Sequence, residues 1–328
     1  MIFGLMSINS SRCFWSWVFS FMTSPWLVTG SSGFLGSNTG IWLADKVSTV
    51  GISRDVSGPS FFGIQKAIDL REHAATAEYI RQIRPSVIFH AGAISGHVTC
   101  AQDPEQAFAV NVTATQAISD VAVEVGARLI YISSDAVFPG DTGNYREVDE
   151  TAPFSYYGET KLAGEEVVRS TVFNSLIVRT NFFGWSIPGN KSVLEFFVNS
   201  LRTGSQVHGY PDSVVTSIYV RSLIETIWKL NELGTTGIVH VASSDALSKH
   251  DFGVAVATEF GLDPDLIAPQ PSVAPDSTTS RSRNISLDTT LLTSILGTRP
   301  QSQAGGIQQA HLDEDSIRFE MQSVGGNS

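Results

Sequence analysis

Cysteine is nearly absent from this 328-residue chain: Cys13 and Cys100 are the only two. They lie far apart without metal-type spacing, which excludes a disulfide scaffold, gives no reason to expect a metal site, and suits a reducing cytoplasm. Positive charge is also scarce, with 21 lysines and arginines against 32 acidic residues and a formal net charge of −11. That balance argues against a nucleic-acid or anionic-membrane partner. Long apolar runs are missing too. The segment Phe14 to Met22 has nine residues, far below the roughly 20 that span a bilayer. No small-x-small cleavage site follows it, so residues 1–24 read as a leader outside the fold. The remainder is globular in composition, with 42% hydrophobic and 16% charged residues. It is long enough for one large α/β domain with a smaller one attached.

The chain is organised around Trp26-Leu-Val-Thr-Gly-Ser-Ser-Gly-Phe-Leu-Gly36. An apolar strand runs into Gly30, Gly33 and Gly36. In a dinucleotide-binding turn the first glycine permits the sharp reversal and the second lets backbone N–H groups approach a pyrophosphate. The third lets the new helix pack closely on the sheet, and the helix N-terminus directs positive potential at the phosphates. Gly30, Ser32, Gly33, Phe34, Leu35 and Gly36 are the candidate phosphate-binding residues.

Strand and helix patterns then alternate. Ser37 to Lys46 reads as a helix and Val47 to Ser53 as the second strand. In NAD-selective sites such a strand tends to end on an acidic residue that takes the ribose hydroxyls. Here it ends on Ser53-Arg54, which would bond a 2′-phosphate. NADP(H) is therefore preferred, with NAD(H) second; Arg54 as a solvated loop residue is the competing reading. Asp69, beside Leu70, is placed to meet an adenine amino group. Ser86 to Ser95 reads as a buried strand ending in small residues, Ala91, Gly92, Ala93 and Ser95, across which a flat cofactor can lie. Its His90 reads as a structural histidine before a mechanistic one. Pro104 to Val125 reads as one long helix, with Asn111 either bracing a loop or lying along the cofactor. Arg128 to Asp135 and Ser175 to Thr180 are further strands. This order predicts an α/β fold, a Rossmann doubly wound parallel sheet with helices on both faces. The expected boundaries are a Rossmann domain over 25–184, a smaller C-terminal substrate-binding region over 185–304 that shares strands with the main sheet, and a flexible tail over 305–328.

Three residues carry the expected chemistry: Ser134 at a strand end, Tyr157, and Lys161 one helical turn later on the same face. An ammonium beside the phenol, together with a positive nicotinamide ring, would lower a pKa that is otherwise about 10. A tyrosine so tuned can exchange the proton of an alcohol–ketone pair while hydride moves to or from nicotinamide. Ser134 would hydrogen-bond the same carbonyl oxygen.

With these residues in order, the chain resembles the extended short-chain dehydrogenase/reductase superfamily, and within it the dTDP-4-dehydrorhamnose reductase group of nucleotide-sugar reductases. Arg84-Pro-Ser-Val-Ile-Phe-His-Ala-Gly-Ala93 is similar to that group's R-P-D-V-V-I-N-A-A-A, and Asp103 to Val112 to its P-E-x-A-x-x-V-N helix. Ser133-Ser-Asp-Ala-Val-Phe-Pro-Gly140 resembles S-T-D-Y-V-F-D-G; Tyr145 to Pro153 resembles Y-x-E-x-D-x-x-x-P, leading to Tyr157-Gly-Glu-Thr-Lys161. Arg283-Asn-Ile-Ser-Leu-Asp288 is similar to R-P-x-N-x-x-L-D. The resemblance implies that Ser134 takes the place of the catalytic threonine, with Tyr157 and Lys161 as proton donor and partner. It places Leu70 with Asp69 at the adenine, and Ser95, Ser134, Asp135, Ala136, Asn181 and Thr216 along the substrate.

Departures fall on the substrate side. Ala136 stands where the group has tyrosine, His90 replaces an asparagine, and His208 to Thr216 only loosely resembles D-Q-x-G-x-P-T. The expected activity is NADPH-dependent reduction of a keto group on a nucleotide-activated deoxysugar. An epimerase or dehydratase of the same superfamily is one alternative. A non-catalytic subunit resembling the regulatory β subunit of methionine adenosyltransferase is another. A homodimer is the expected assembly.

Overall fold

The computed structural model describes residues 24–271 and 284–323. The proposed leader, Ser24 apart, and Arg283 lie outside the described residues. Thirteen strands are described: β1 (Trp26–Thr29), β2 (Thr49–Ser53), β3 (Ile64–Ala67), β4 (Val87–His90), β5 (Arg128–Ile132), β6 (Ser175–Arg179), β7 (Phe182–Phe183), β8 (Val207–Gly209), β9 (Val214–Val215), β10 (Ile218–Tyr219), β11 (Gly237–His240), β12 (Leu247–Ser248) and β13 (Ile267–Pro269). Seven form one sheet in the order β11-β6-β5-β4-β1-β2-β3, every pairing parallel. This is the expected doubly wound sheet, whose strand order reverses between β1 and β4.

The central strands are continuous apolar runs because both of their faces are covered. Trp26, Val28, Val87, Phe89, Ile130, Ile132, Leu176 and Val178 point into one core. Their neighbours Leu27, Ile88, Leu129, Tyr131 and Ile177 point into the other. Helices Phe34–Leu43 and Val220–Glu232 pack together on the first face; His73–Ile83, Ala114–Val125 and Tyr156–Thr171 cover the second.

Two expectations need correction. The Pro104–Val125 segment is not one regular helix. A π turn over Ala109–Thr113 separates helix Pro104–Phe108 from helix Ala114–Val125, and it carries Asn111. The stretch from 305, expected to be a flexible tail, is helical from Gln303 to Ser323. Ile307, Ala310, Ile317 and Met321 are buried at helical spacing, and the Ala310 carbonyl accepts a 2.8 Å bond from the Trp185 indole. Sparse apolar residues suffice there because packing, more than intrinsic propensity, stabilises helices in proteins.

After Phe183 the chain builds short strand pairs, β10–β7, β12–β9 and β13–β8, and helices Val193–Arg202 and Lys249–Glu259. These stand beyond the carboxyl ends of the sheet, while β11 returns to its edge.

Candidate active site

A cleft of about 1230 Å³ opens at the carboxyl ends of β1, β4, β5 and β6. Its floor is the glycine turn. Gly30 has φ +68° and lies so close to Gly92 that a β-carbon would come within 2.7 Å of the Gly92 Cα. Gly33 donates its N–H to the Gly30 carbonyl at 2.9 Å and then caps helix Phe34–Leu43 with no side-chain bond. The first backbone N–H groups of the helix are thus not taken by a capping side chain, as an anion site requires. A β-carbon on Gly36 would run into the Gly30 carbonyl. Gly30, Ser32, Gly33, Phe34, Leu35 and Gly36 all line the cleft, as do Ala91, Ala93 and Ser95. A cradle that β-carbons would fill, beneath an uncapped helix, fits a dinucleotide pyrophosphate.

Ser134, Asp135, Tyr157, Lys161 and Asn181 meet on the opposite wall. Ser155 caps helix Tyr156–Thr171 by accepting from the Gly158 N–H at 3.2 Å, which fixes Tyr157 in the first turn. Ser134 is a hydrogen-bonding neighbour of the Tyr157 hydroxyl. Lys161 is 3% exposed, with its ammonium 4.1 Å from the Tyr131 ring centre. Burial lowers Lys161 to about 7, with Glu165 and Cys100 opposing. Burial also raises Tyr157 above its ordinary value, against the Ser134 bond that lowers it. In the protein alone the direction is thus opposite to the lowering expected from an ammonium and a positive nicotinamide ring together.

Behind the wall, Glu165 (1% exposed) receives the Arg179 guanidinium at 2.9 and 2.7 Å and the Ser133 hydroxyl at 2.5 Å. This buried ion pair ties helix Tyr156–Thr171 to β6 and to the end of β5. His90 is sandwiched between the Thr29 and Thr115 hydroxyls at 2.7 and 3.0 Å, and burial lowers it to about 3. Its structural reading fits.

Several expected site residues do not line the cleft. Asn111 braces a loop: its amide accepts from the Ile94 N–H at 2.8 Å and donates to the Ile94 carbonyl and the Thr160 hydroxyl, each at 3.0 Å. Gly92 and Leu70 are buried in the supporting wall, where a β-carbon on Gly92 would meet the Leu70 side chain. Asp69 is paired with Arg71, whose guanidinium closes on its carboxylate at 2.6 Å. Ser53 is buried and donates to the Asp55 carbonyl at 2.7 Å, while Arg54 is exposed beyond β2. Ala136 is buried beneath Gly158. Thr216 accepts from the Leu287 N–H at 3.1 Å and lines a separate cleft of about 280 Å³. Neither lines the larger cleft.

The cleft also gathers residues that motif reading missed: His97, Phe154, Lys191, Ser217 and Lys249. His97 stacks on Phe154 and meets the Tyr157 ring edge-on, with centroids 5.6 and 5.1 Å apart. Lys249 opens its helix just after the capping Ser248; Ser-Lys-His-Asp was the only local signal for it. Among the described residues no metal-type cluster occurs, and no helix is long and apolar enough to cross a membrane.

Comparison with known proteins places this geometry. Residues 25–315 match the family described as the RmlD substrate binding domain. The probable low-salt glycan biosynthesis reductase Agl14 of Haloferax volcanii is 30% identical over 275 residues, which is 82% of this chain and 91% of that protein. The dTDP-4-dehydrorhamnose reductase of Mycobacterium tuberculosis is 31% identical, over 74% of this chain and 78% of its own. Among solved structures, the Bacillus anthracis dTDP-4-dehydrorhamnose reductase in complex with NADP superposes with a TM-score of 0.80 at 21% identity. It covers 89% of this chain and 100% of its own.

Proposed function

The chain belongs to the RmlD substrate binding domain family, and from that premise we propose that it is an NADP(H)-dependent reductase of a keto group on a nucleotide-activated deoxysugar. The observation that carries this reading is the meeting, in one cleft, of an uncapped glycine turn with Ser134, Tyr157 and Lys161. The named reductases among its relatives support the same class.

Gly30, Gly33, Phe34, Leu35 and Gly36 would hold the pyrophosphate, and Ala91, Ala93 and Ser95 the middle of the dinucleotide. Bound there, reduced nicotinamide supplies the hydride. Tyr157, kept neutral by burial, gives its proton to the carbonyl oxygen as that oxygen gains charge. Ser134 donates a hydrogen bond to the same oxygen. Lys161 sits one turn along the helix, held over Tyr131, where it offsets the phenolate left behind. The cleft exceeds the roughly 300–1,000 Å³ of an ordinary small-ligand site, which leaves room for a sugar nucleotide beyond the cofactor.

The test is to titrate the purified protein with NADPH and NADH, then offer dTDP-4-keto-6-deoxyglucose and other keto-sugars while following reduced-cofactor absorbance. Oxidation of NADPH matched by alcohol product supports the reading. Tight cofactor binding with no reduction of any carbonyl compound would replace it with a regulatory role. Arg54→Ala should weaken NADPH relative to NADH by about tenfold, as loss of one charge-assisted phosphate contact predicts; equal weakening of both would remove that role from Arg54.

A further inference from the structure

Asp135 stands beside the reacting groups at 3% exposure and lines the cleft. Its Oδ1 accepts the Ser134 hydroxyl at 3.0 Å, and its Oδ2 accepts the Asn181 amide at 2.7 Å. Asn181 is itself oriented, since its Oδ1 accepts the Ser217 hydroxyl at 2.7 Å. Ser134 Oγ further accepts the Ala136 N–H at 3.1 Å and neighbours the Tyr157 hydroxyl.

A hydroxyl has one proton and two lone pairs. If Asp135 is a carboxylate, the Ser134 proton is committed to Oδ1. The remaining Ser134 lone pair then faces Tyr157, and the donors run Tyr157 to Ser134 to Asp135, away from any substrate. If Asp135 is a neutral acid, the Asn181 N–H marks Oδ2 as the carbonyl oxygen, so the proton sits on Oδ1 and points at Ser134. Asp135 and Ala136 now fill both lone pairs of Ser134, and the Ser134 and Tyr157 protons both face the cleft.

We propose that Asp135 is a positioning residue that works as the neutral acid, turning the Ser134 hydroxyl, and with it the Tyr157 hydroxyl, toward the carbonyl oxygen of the substrate. The proposal rests on the keto-reductase reading of the same cleft. No bond to Asp135 forms or breaks in turnover. Burial raises Asp135 to about 6, opposed by the Asn181 and Ser134 bonds and by Lys249, so the neutral acid persists up to about that pH and gives way to the carboxylate above it. The other titratable groups around this cluster are Tyr157 and Lys161 on helix Tyr156–Thr171, and His97 and the Cys100 thiol on helix His97–Gln102.

Asparagine copies the neutral acid, since its amide can donate to Ser134 while its carbonyl accepts from Asn181. In pH profiles of kcat/KM, the native protein should lose activity tenfold per pH unit above about 6. Asp135→Asn should keep native activity within severalfold at low pH and lack that limb. Asp135→Ala should fall on the order of a hundredfold, the loss expected for an oxyanion donor, and Ser134→Ala should lack the limb because Asp135 acts only through Ser134. An Asp135→Asn protein as impaired as Asp135→Ala, or one that keeps the limb, would overturn the proposal. Infrared spectra of protein labelled with ¹³C at the aspartate carboxyls provide a readout without turnover. A carboxylic-acid band that titrates near pH 6 and is missing in Asp135→Asn supports the neutral acid; a carboxylate already ionised at pH 5 overturns it. If the native protein reduces no carbonyl compound, the keto-reductase reading fails, and the infrared titration still decides the state of Asp135.

Discussion

Gly158 and Ala136 are in direct backbone contact: a β-carbon on Gly158 would run into the Ala136 carbonyl. The absence of a side chain at 158 lets helix Tyr156–Thr171 rest against the turn that follows β5. That contact holds Tyr157 beside Ser134, although the two are 23 residues apart in sequence.

Gly158→Ala should therefore push the helix off the turn. The expected outcome is a loss of about 1–3 kcal/mol of stability, the usual cost of overpacking, with a larger proportional loss of kcat than of cofactor affinity. Thermal melts and fluorescence titration with NADPH would check this. Unchanged turnover would mean that the contact does not place Tyr157.

Tyr157→Phe removes the proton donor and leaves the glycine turn intact. Turnover should fall about 10²- to 10⁴-fold, the range for general acid catalysis, while the dissociation constant for NADPH stays within about threefold. Because burial raises the Tyr157 pKa, native protein and Tyr157→Phe should show the same phenolate absorbance on titration up to about pH 10.

Arg179→Met would strand Glu165, a buried carboxylate whose remaining side-chain partner is Ser133. Breaking a buried pair from one side costs about 3–5 kcal/mol. Adding Glu165→Gln should recover much of that loss. Chemical denaturation of both variants would show it, and equal midpoints for the two would assign the effect to lost Arg179 packing on Phe138, 5.0 Å away.

Asp135 also makes a stability prediction. Its pKa is raised on folding from 3.8 to about 6, so between those values the folded state binds the proton and the unfolded state does not. Its contribution to stability is thus greatest at low pH and is lost as pH rises through about 4 to 6. Asp135→Asn should match the native protein near pH 3.5 and exceed it at pH 7 by about 3 kcal/mol, from the conversion of pKa units into free energy. Denaturant midpoints across that range would check it, and a constant difference at all pH values would count against the raised pKa.

Much of this protein follows from local sequence. The parallel sheet is visible in apolar strands that need cover on both faces, and the glycine turn and the Tyr157–Lys161 spacing are local constraints that need no distant partner. Residues whose role depends on what meets them were not visible in this way. Asp69 looked free, but Arg71 holds it, and Thr216 faces a second cleft; of the two readings open for Asn111, the fold shows the loop brace. The polar C-terminal stretch folds because four apolar side chains find a core that only the finished domain provides.

The sequence by itself determined the alternation of strands and helices, the glycine turn and the Tyr157–Lys161 spacing, because each depends on neighbours within a few positions. Tertiary structure decided their chemical states. It raised Tyr157, lowered Lys161 and enclosed Asp135 between Ser134 and Asn181, because desolvation and hydrogen bonding are properties of residues brought together from β5, β6 and helix Tyr156–Thr171.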